Sequence, residues 1–166
     1  MIKMIVFLGN PGKQYDNTRH NIGFSICDYK YPYITFQKKF NSLFANDLSL
    51  KILKPQTFMN NSGLSVEKAA SYFSLSSDQI LVVHDDLELD FGEVKFQQGG
   101  GLKGHNGLKS IKNYLKNDNF YRLRFGIGRP KHNNVSSFVL STFTKDEQIS
   151  LPLYLDKASK LIDYYT

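Results

Sequence analysis

The chain has 166 residues, of which 41% are hydrophobic and 14% aromatic, and this composition excludes global disorder. Cys27 is its one cysteine, which excludes an internal disulfide framework and favours a reducing, cytoplasmic location. The net charge of +6 is concentrated in residues 95–131, which contain nine basic residues and one acidic residue. The apolar run at 2–8 is too short for a signal peptide or a membrane span, so no membrane association is expected.

Strand-like and helix-like segments alternate along the chain. Apolar runs predict strands at 2–8, 50–54, 79–83 and 120–127, and residues 34–48 are expected to hold two more. Helical periodicity predicts helices over 63–73, 107–116 and 145–165, the last one bent or restarted at Pro152. This alternation predicts a single α/β domain over residues 1–166, with functional loops at the carboxyl ends of the strands.

A polar loop follows the first predicted strand and contains His20. The preceding Gly9-Asn10-Pro11-Gly12 run is explained by turn formation alone, but the histidine is not. An imidazole accepts a proton near neutral pH, which hydrolysis of an ester by water requires. Taken alone, a loop histidine is more often an ordinary surface residue.

Two adjacent carboxylates, Asp85 and Asp86, come directly after the predicted strand at 79–83. A carboxylate there can accept the Nδ1 proton of a histidine and thereby fix the tautomer that acts as a base. Neighbouring strand residues point to opposite faces, so only one of the two is expected to face His20, and we predict Asp85. The alternatives are a loop cap or a metal site that adds a histidine, but no metal-binding spacing is present to support the latter.

The Gly-rich segment 99–107 precedes a predicted helix inside the basic region. Its backbone N–H groups and the helix start are expected to bind an anion, although the ending of a P-loop is missing. Further along, alternation places Arg122 and Arg124 on one face of a strand, where they suit phosphates. The alternative for these arginines is salt bridges to Asp85, Asp86 or Glu88.

A fourth polar cluster, residues 55–63, contains Asn60 and Ser62. The Asn60 carboxamide both donates and accepts hydrogen bonds, so it can grip a peptide backbone without adding charge. Ser62 lacks the surroundings of a nucleophilic serine, and we expect Asn61 or Ser62 to cap the following helix.

Five long segments together resemble the bacterial peptidyl-tRNA hydrolase family: LGNPGKQYDNTRHNIGF (8–24), KPQTFMNNSG (54–63), HDDLEL (84–89), GGGLKGHNGLKSI (99–111) and FYRLRFGIGRP (120–130). The resemblance implies a three-layer α/β/α domain with a mixed, mainly parallel twisted sheet. It also implies cleavage of the ester between a peptide and the 3′ ribose of tRNA, by a monomer that needs no metal or cofactor.

The resemblance assigns roles to individual residues. His20 falls on the catalytic histidine, and Asp85 falls on its supporting aspartate. The asparagines that grip the substrate fall on Asn10, Asn60 and Asn106, and Asn10 helps to distinguish blocked peptides from free aminoacyl groups. Tyr15 and Phe58 match residues that line the cleft for the tRNA end, and Arg124 matches an arginine linked to a tRNA phosphate.

Two departures from the family pattern are visible. The lysine that often precedes the Gly-rich loop is Gln97 or Gln98 here, and we expect Lys95 or Lys103 to compensate. The helix expected after Gly23-Phe24 is interrupted by Tyr31-Pro32-Tyr33, and the C-terminal region is short.

Three other functions remain open from the sequence. The first is a catalytically silent RNA-binding homologue that acts in RNA processing. The second is a metal-dependent hydrolase that uses His20, Asp85 and His105. The third is an esterase with Ser62 or Cys27 as its nucleophile, although Cys27 is predicted to be a buried structural residue.

Overall fold

The computed structural model describes residues 1–132 and 134–166. The strands are β1 (Met4–Phe7), β2 (Gln37–Lys39), β3 (Ser42–Asp47), β4 (Leu50–Pro55), β5 (Ile80–Asp86), β6 (Val94–Gln98) and β7 (Tyr121–Gly126). The α-helices are α1 (Ile22–Lys30), α2 (Ser62–Tyr72), α3 (Asn106–Leu115), α4 (Val135–Val139) and α5 (Lys145–Tyr165). Short 3₁₀ turns at Arg19–Asn21 and Met59–Asn61 directly precede α1 and α2.

Within these two ranges the strands form one seven-stranded sheet in the order β2-β3-β4-β1-β5-β7-β6. Strands β4, β1, β5 and β7 are parallel neighbours, whereas the pairs β2–β3, β3–β4 and β6–β7 are antiparallel. Strand β2 therefore runs in the direction of the four central strands, and β3 and β6 run the other way. The mixed, mainly parallel sheet predicted from the resemblance is confirmed.

Helices cover both faces of the sheet. On β5, Leu81 and Val83 pack into a core shared with α1 and α5, whereas Ile80 and Val82 pack into a second core shared with α2 and α3. Each fully buried side chain of this kind contributes about 1.5–3 kcal/mol relative to an exposed one. The three-layer α/β/α arrangement is thus confirmed.

Three elements differ from the sequence-based expectation. Strand β6 was not predicted, because only Val94 and Phe96 alternate with polar residues at this sheet edge. Helix α4 has five residues, too few to show a helical period. Helix α5 runs without a break through Pro152, so the restart that was one of two expectations is wrong, and the alternative of a bend stays a prediction. Pro152 lies at an exposed position, where water can replace the hydrogen bond that proline cannot donate.

Among the residues that the structure describes, no helix has both the length and the apolar character needed to cross a membrane.

The core holds the Cys27 thiol, which is fully buried. Burial raises the pKa of Cys27 to about 12, with a smaller opposing effect of Lys54. A thiol in this state is a packing group rather than a nucleophile.

Candidate active site

His20 and Asp85 come together at the carboxyl end of two neighbouring parallel strands. His20 lies in the 3₁₀ turn after β1, and Asp85 is the penultimate residue of β5. The His20 Nδ1 lies 2.8 Å from Asp85 Oδ2. Asp85 continues the side of β5 that Leu81 and Val83 begin, which faces α1 and the turn before it. The structure therefore brings together the two residues that the sequence placed 65 positions apart.

The second oxygen of Asp85 is bound by His105. The His105 Nε2 lies 2.8 Å from Asp85 Oδ1. The His105 Nδ1 accepts the backbone N–H groups of Gly107 at 3.1 Å and Leu108 at 3.3 Å, so that the imidazole caps α3. Because Nδ1 accepts, the ring carries its proton on Nε2 and donates it to Asp85.

Burial and the two histidines act in opposite directions on Asp85. Burial by itself would raise the pKa of this carboxyl, but its interactions with His20 and His105, including a hydrogen bond from each, hold its pKa well below the usual range. Asp85 is 2% exposed and remains an anion at neutral pH. A buried anion of this kind is stable only because both of its oxygens accept hydrogen bonds.

The pKa of His20 is raised, and the cause is Asp85. Burial by itself lowers the pKa of the imidazole, but the charge and hydrogen bond of Asp85 more than offset this effect. The neighbouring His84 behaves differently, because burial and then His105 lower its pKa to about 3. Since His84 is 1% exposed and donates its Nδ1 proton to the Asp85 backbone oxygen at 2.8 Å, it is a neutral structural group.

The three predicted asparagines surround the same cleft. The Asn10 Oδ1 accepts the Met59 backbone N–H at 2.7 Å, which links the loop after β1 to the turn before α2. The Asn10 backbone is in turn held by Asn21, with hydrogen bonds of 2.8 and 2.9 Å. With Oδ1 engaged, the NH2 end of Asn10 is the end available as a donor. Asn60, in the 3₁₀ turn before α2, and Asn106, the first residue of α3, also line the cleft.

The cleft has a volume of about 530 Å³ and is largely apolar. Of the predicted site residues, it is lined by Asn10, His20, Phe58, Asn60, Asp85, Lys103 and Asn106. Leu87, Leu102, Val135, Val139 and Leu140 supply its apolar wall. Such a cleft, with a few convergent polar groups, is typical of a substrate-binding site.

Tyr15 and Phe58 form an aromatic pair at the edge of this cleft. Their rings meet edge to face, with centroids 6.1 Å apart. Phe58 is 48% exposed and has a φ of 63°, which is strained for a bulky residue. Residues held in sparsely populated backbone conformations cluster at functional sites.

The arginines of β7 are placed differently from the sequence-based expectation. Arg122 is 2% exposed and donates to the backbone oxygens of Gly99 and Gly101, so its predicted phosphate-facing position is wrong. Arg124 donates to Asp86 at 2.8 Å and to Gln97 at 2.9 Å, and it lies outside the cleft lining. The alternative of salt bridges therefore describes Arg124, and its predicted phosphate contact stays a prediction.

Two further expectations about helix starts are wrong. His105 occupies the N–H groups of Gly107 and Leu108, so these groups at the start of α3 do not bind an anion. The Asn61 side chain does not cap α2. Ser62 is fully buried and donates its hydroxyl to the Met59 oxygen at 2.8 Å, an environment that does not suit a nucleophile.

His20, Asp85 and His105 place nitrogen and oxygen donors within 4.8 Å of one another. This spacing could accommodate a metal, but each histidine nitrogen meets its own carboxylate oxygen at 2.8 Å. These contacts have the length of charge-assisted hydrogen bonds and need no ion to explain them.

The part played by His105 was missed from the sequence, where it entered only as a candidate metal ligand. The signal was its position two residues before the predicted helix at 107–116, near a helix start, where a side-chain acceptor is needed. Histidine is not among the preferred residues at this position, so the sequence did not predict that His105 caps the helix.

The fold and the site define a class: a three-layer α/β/α protein whose buried aspartate contacts a histidine in an asparagine-lined cleft, an arrangement that suits hydrolysis. The sequence model of the family named Peptidyl-tRNA hydrolase matches residues 4–166, and the chain belongs to this family.

Relatives and solved structures agree with this assignment. The chain is 44% identical to a peptidyl-tRNA hydrolase of Geotalea uraniireducens, over 98% of this chain and 88% of the relative. It is also 44% identical to one from a Wolbachia of Drosophila simulans, over 96% and 90% of the two chains. The crystal structure of peptidyl-tRNA hydrolase from Acinetobacter baumannii superposes with a TM-score of 0.85 at 36% identity, covering 96% of this chain and 83% of that one.

Proposed function

We propose that the chain hydrolyses the ester between a peptide and the 3′ ribose of tRNA, with His20 as general base. Family membership supports the substrate. The observation that carries the mechanism is the 2.8 Å contact between His20 and Asp85 inside the asparagine-lined cleft. It leaves the unprotonated Nε2 of His20 to accept a proton.

The reaction begins at a water molecule beside His20 Nε2. His20 accepts a proton from this water, and the water oxygen forms a bond to the ester carbonyl carbon. Asp85 remains an anion and stabilises the imidazolium. The tetrahedral oxyanion then collapses, the bond to the 3′ oxygen breaks, and His20 returns its proton to that oxygen.

The asparagines supply donors without charge. We assign Asn106, together with Asn60, to the developing oxyanion, where preorganised donors lower the barrier. Asn10 binds the peptide backbone next to the ester. Its Oδ1 accepts from the Met59 N–H, so its NH2 end remains as the donor. Tyr15 and Phe58 provide aromatic faces for the bases of the tRNA end.

The phosphate contact is assigned to Lys103 first and to Arg124 second. Lys103 is exposed, lines the cleft and replaces the charge that Gln97 does not supply. Gln97 instead accepts a hydrogen bond from Arg124. Arg124 is engaged by Asp86, so a phosphate must compete with that carboxylate for it.

We further propose a single-domain monomer, active in the cytoplasm without metal or cofactor. The decisive experiment is single-turnover release of peptide from a purified N-blocked peptidyl-tRNA, with binding measured in parallel. Release by the wild type, together with its loss on changing His20, supports the proposal. Binding without release would favour the catalytically silent RNA-binding homologue instead.

A further inference from the structure

His105 uses both of its ring nitrogens in opposite roles. Its Nδ1 accepts two backbone N–H groups at the start of α3, and its Nε2 donates to Asp85 Oδ1. The imidazole is therefore a rigid link between the first turn of α3, which begins with Asn106, and the carboxylate that orients His20.

This arrangement fixes the tautomer of His105. Protonation of Nδ1 would place an N–H against the N–H groups of Gly107 and Leu108, and against the positive end of the helix dipole. These hydrogen bonds are those of the tautomer with its proton on Nε2, and they engage both ring nitrogens, so neither nitrogen faces a water molecule in the cleft. His20, whose ring centroid lies 5.2 Å away, is left as the base of the pair.

We propose that His105 is a positioning residue for the reaction, acting through Asp85. By holding Oδ1 it directs Oδ2 towards His20 Nδ1, and by sharing the carboxylate charge it limits the basicity of His20. The inference rests on the proposed function, since it assigns how His20 is tuned for that reaction.

The charged and titratable groups around His20 come from several elements. Asp85 and His84 lie on β5, and His105 precedes α3. Asp86, Lys103 and Arg129 line the same cleft. Among these groups, Asp85 makes the direct contact with His20. Removing the hydrogen bond from His105 to Asp85 therefore changes the pKa of His20 through this one carboxylate.

Two substitutions separate the two nitrogens of His105. His105→Asn retains a strong helix-capping acceptor but is too short to reach Asp85. His105→Gln places an amide N–H at about the reach of Nε2 but loses the cap. Both variants are compared with the wild type by kcat, KM and thermal unfolding, using the same peptidyl-tRNA.

We expect His105→Asn to lower kcat by about 10- to 100-fold, because Asp85 is no longer held in line. Its KM and its melting temperature stay close to the wild type. Its acid limb of kcat/KM shifts to higher pH, because the unshared carboxylate binds the His20 proton more tightly. His105→Gln loses thermal stability but retains most of the kcat. The acid limb of its kcat/KM profile stays at the wild-type pH.

Unchanged kcat and pH limb in His105→Asn would overturn the proposal. Equal losses of activity in both variants that track their melting temperatures would also overturn it, since they would indicate a helix cap alone. Nitrogen-15 NMR of the free wild-type enzyme tests the tautomer without substrate: protonated Nε2 on His105 supports the proposal, and protonated Nδ1 contradicts it. A wild type that releases no peptide contradicts the proposed function but not this tautomer.

Discussion

Asp85 and Asp86 are adjacent in β5 but serve separate partners. Asp85 accepts from His20 and His105, whereas Asp86 Oδ2 accepts from Arg124 at 2.8 Å. The alternation of a strand explains the division, since consecutive side chains leave opposite faces. One strand end thus supplies both the orienting carboxylate and an ion pair to β7.

The first prediction concerns the base itself. We expect His20→Ala to lower the rate of peptide release by about 10²- to 10⁴-fold, the usual contribution of a general base. The fold should persist, because His20 lies in a short turn at the cleft rather than in the core. Single-turnover kinetics and circular dichroism check both parts. A folded His20→Ala variant with full activity would falsify the mechanism.

The second prediction concerns pH. His20 must be neutral to accept a proton, and Asp85 raises its pKa. The value of kcat/KM should therefore fall as pH drops through a pKa above about 6.5, the value for an unperturbed histidine. In Asp85→Asn, burial acts without the opposing carboxylate, so the limb should move to lower pH while the rate decreases. A limb that stays in place in this variant would show that Asp85 does not set the pKa.

The third prediction concerns tRNA binding. We expect Lys103→Ala to raise KM with little effect on kcat, and to reduce the slope of log affinity against log salt by about 1. Lys38→Ala makes the same charge change on β2, an edge strand outside the cleft lining, and serves as the control. Identical effects of the two substitutions would indicate a general loss of charge and not a phosphate contact.

The fourth prediction concerns metal. Each histidine nitrogen facing Asp85 is satisfied by a hydrogen bond, so a chelator should leave the rate unchanged. The measurement is peptide release after dialysis against EDTA, with and without added Zn²⁺ or Mn²⁺. Loss of activity that a divalent ion restores would favour the metal-dependent hydrolase.

The fifth prediction tests the packing behind His20. A Cβ at Gly23 would lie 2.4 Å from the Leu8 oxygen and 2.8 Å from the Val83 oxygen, so α1 approaches β1 and β5 closely. Gly23→Ala should destabilise the fold by about 1–3 kcal/mol, a typical cost of overpacking. Gly101→Ala is the control, since its nearest neighbour would be the Lys103 Cε at 3.9 Å. Equal melting temperatures for the two variants would contradict this interpretation.

The sequence predicts most of the central sheet because its strands are buried and apolar, as Ile80–Val83 are. It does not predict β6, whose exposed face dilutes the signal at the sheet edge. The contact between His20 and Asp85 was predicted from chemistry and resemblance. The contacts of His105 and Arg122 were not, because both depend on backbone atoms that only the folded loop brings into reach.

The glycines at 99–101 have the composition of a flexible tether, yet Arg122 grips the carbonyls of Gly99 and Gly101. Between them, a Cβ at Gly100 would lie 2.4 Å from the Gln97 side chain and 3.2 Å from Arg122. Gly100 therefore leaves room for the Gln97 amide first and for the Arg122 guanidinium second. Lengthening this run should weaken the enzyme more than its composition indicates, because every added residue displaces an acceptor that Arg122 needs.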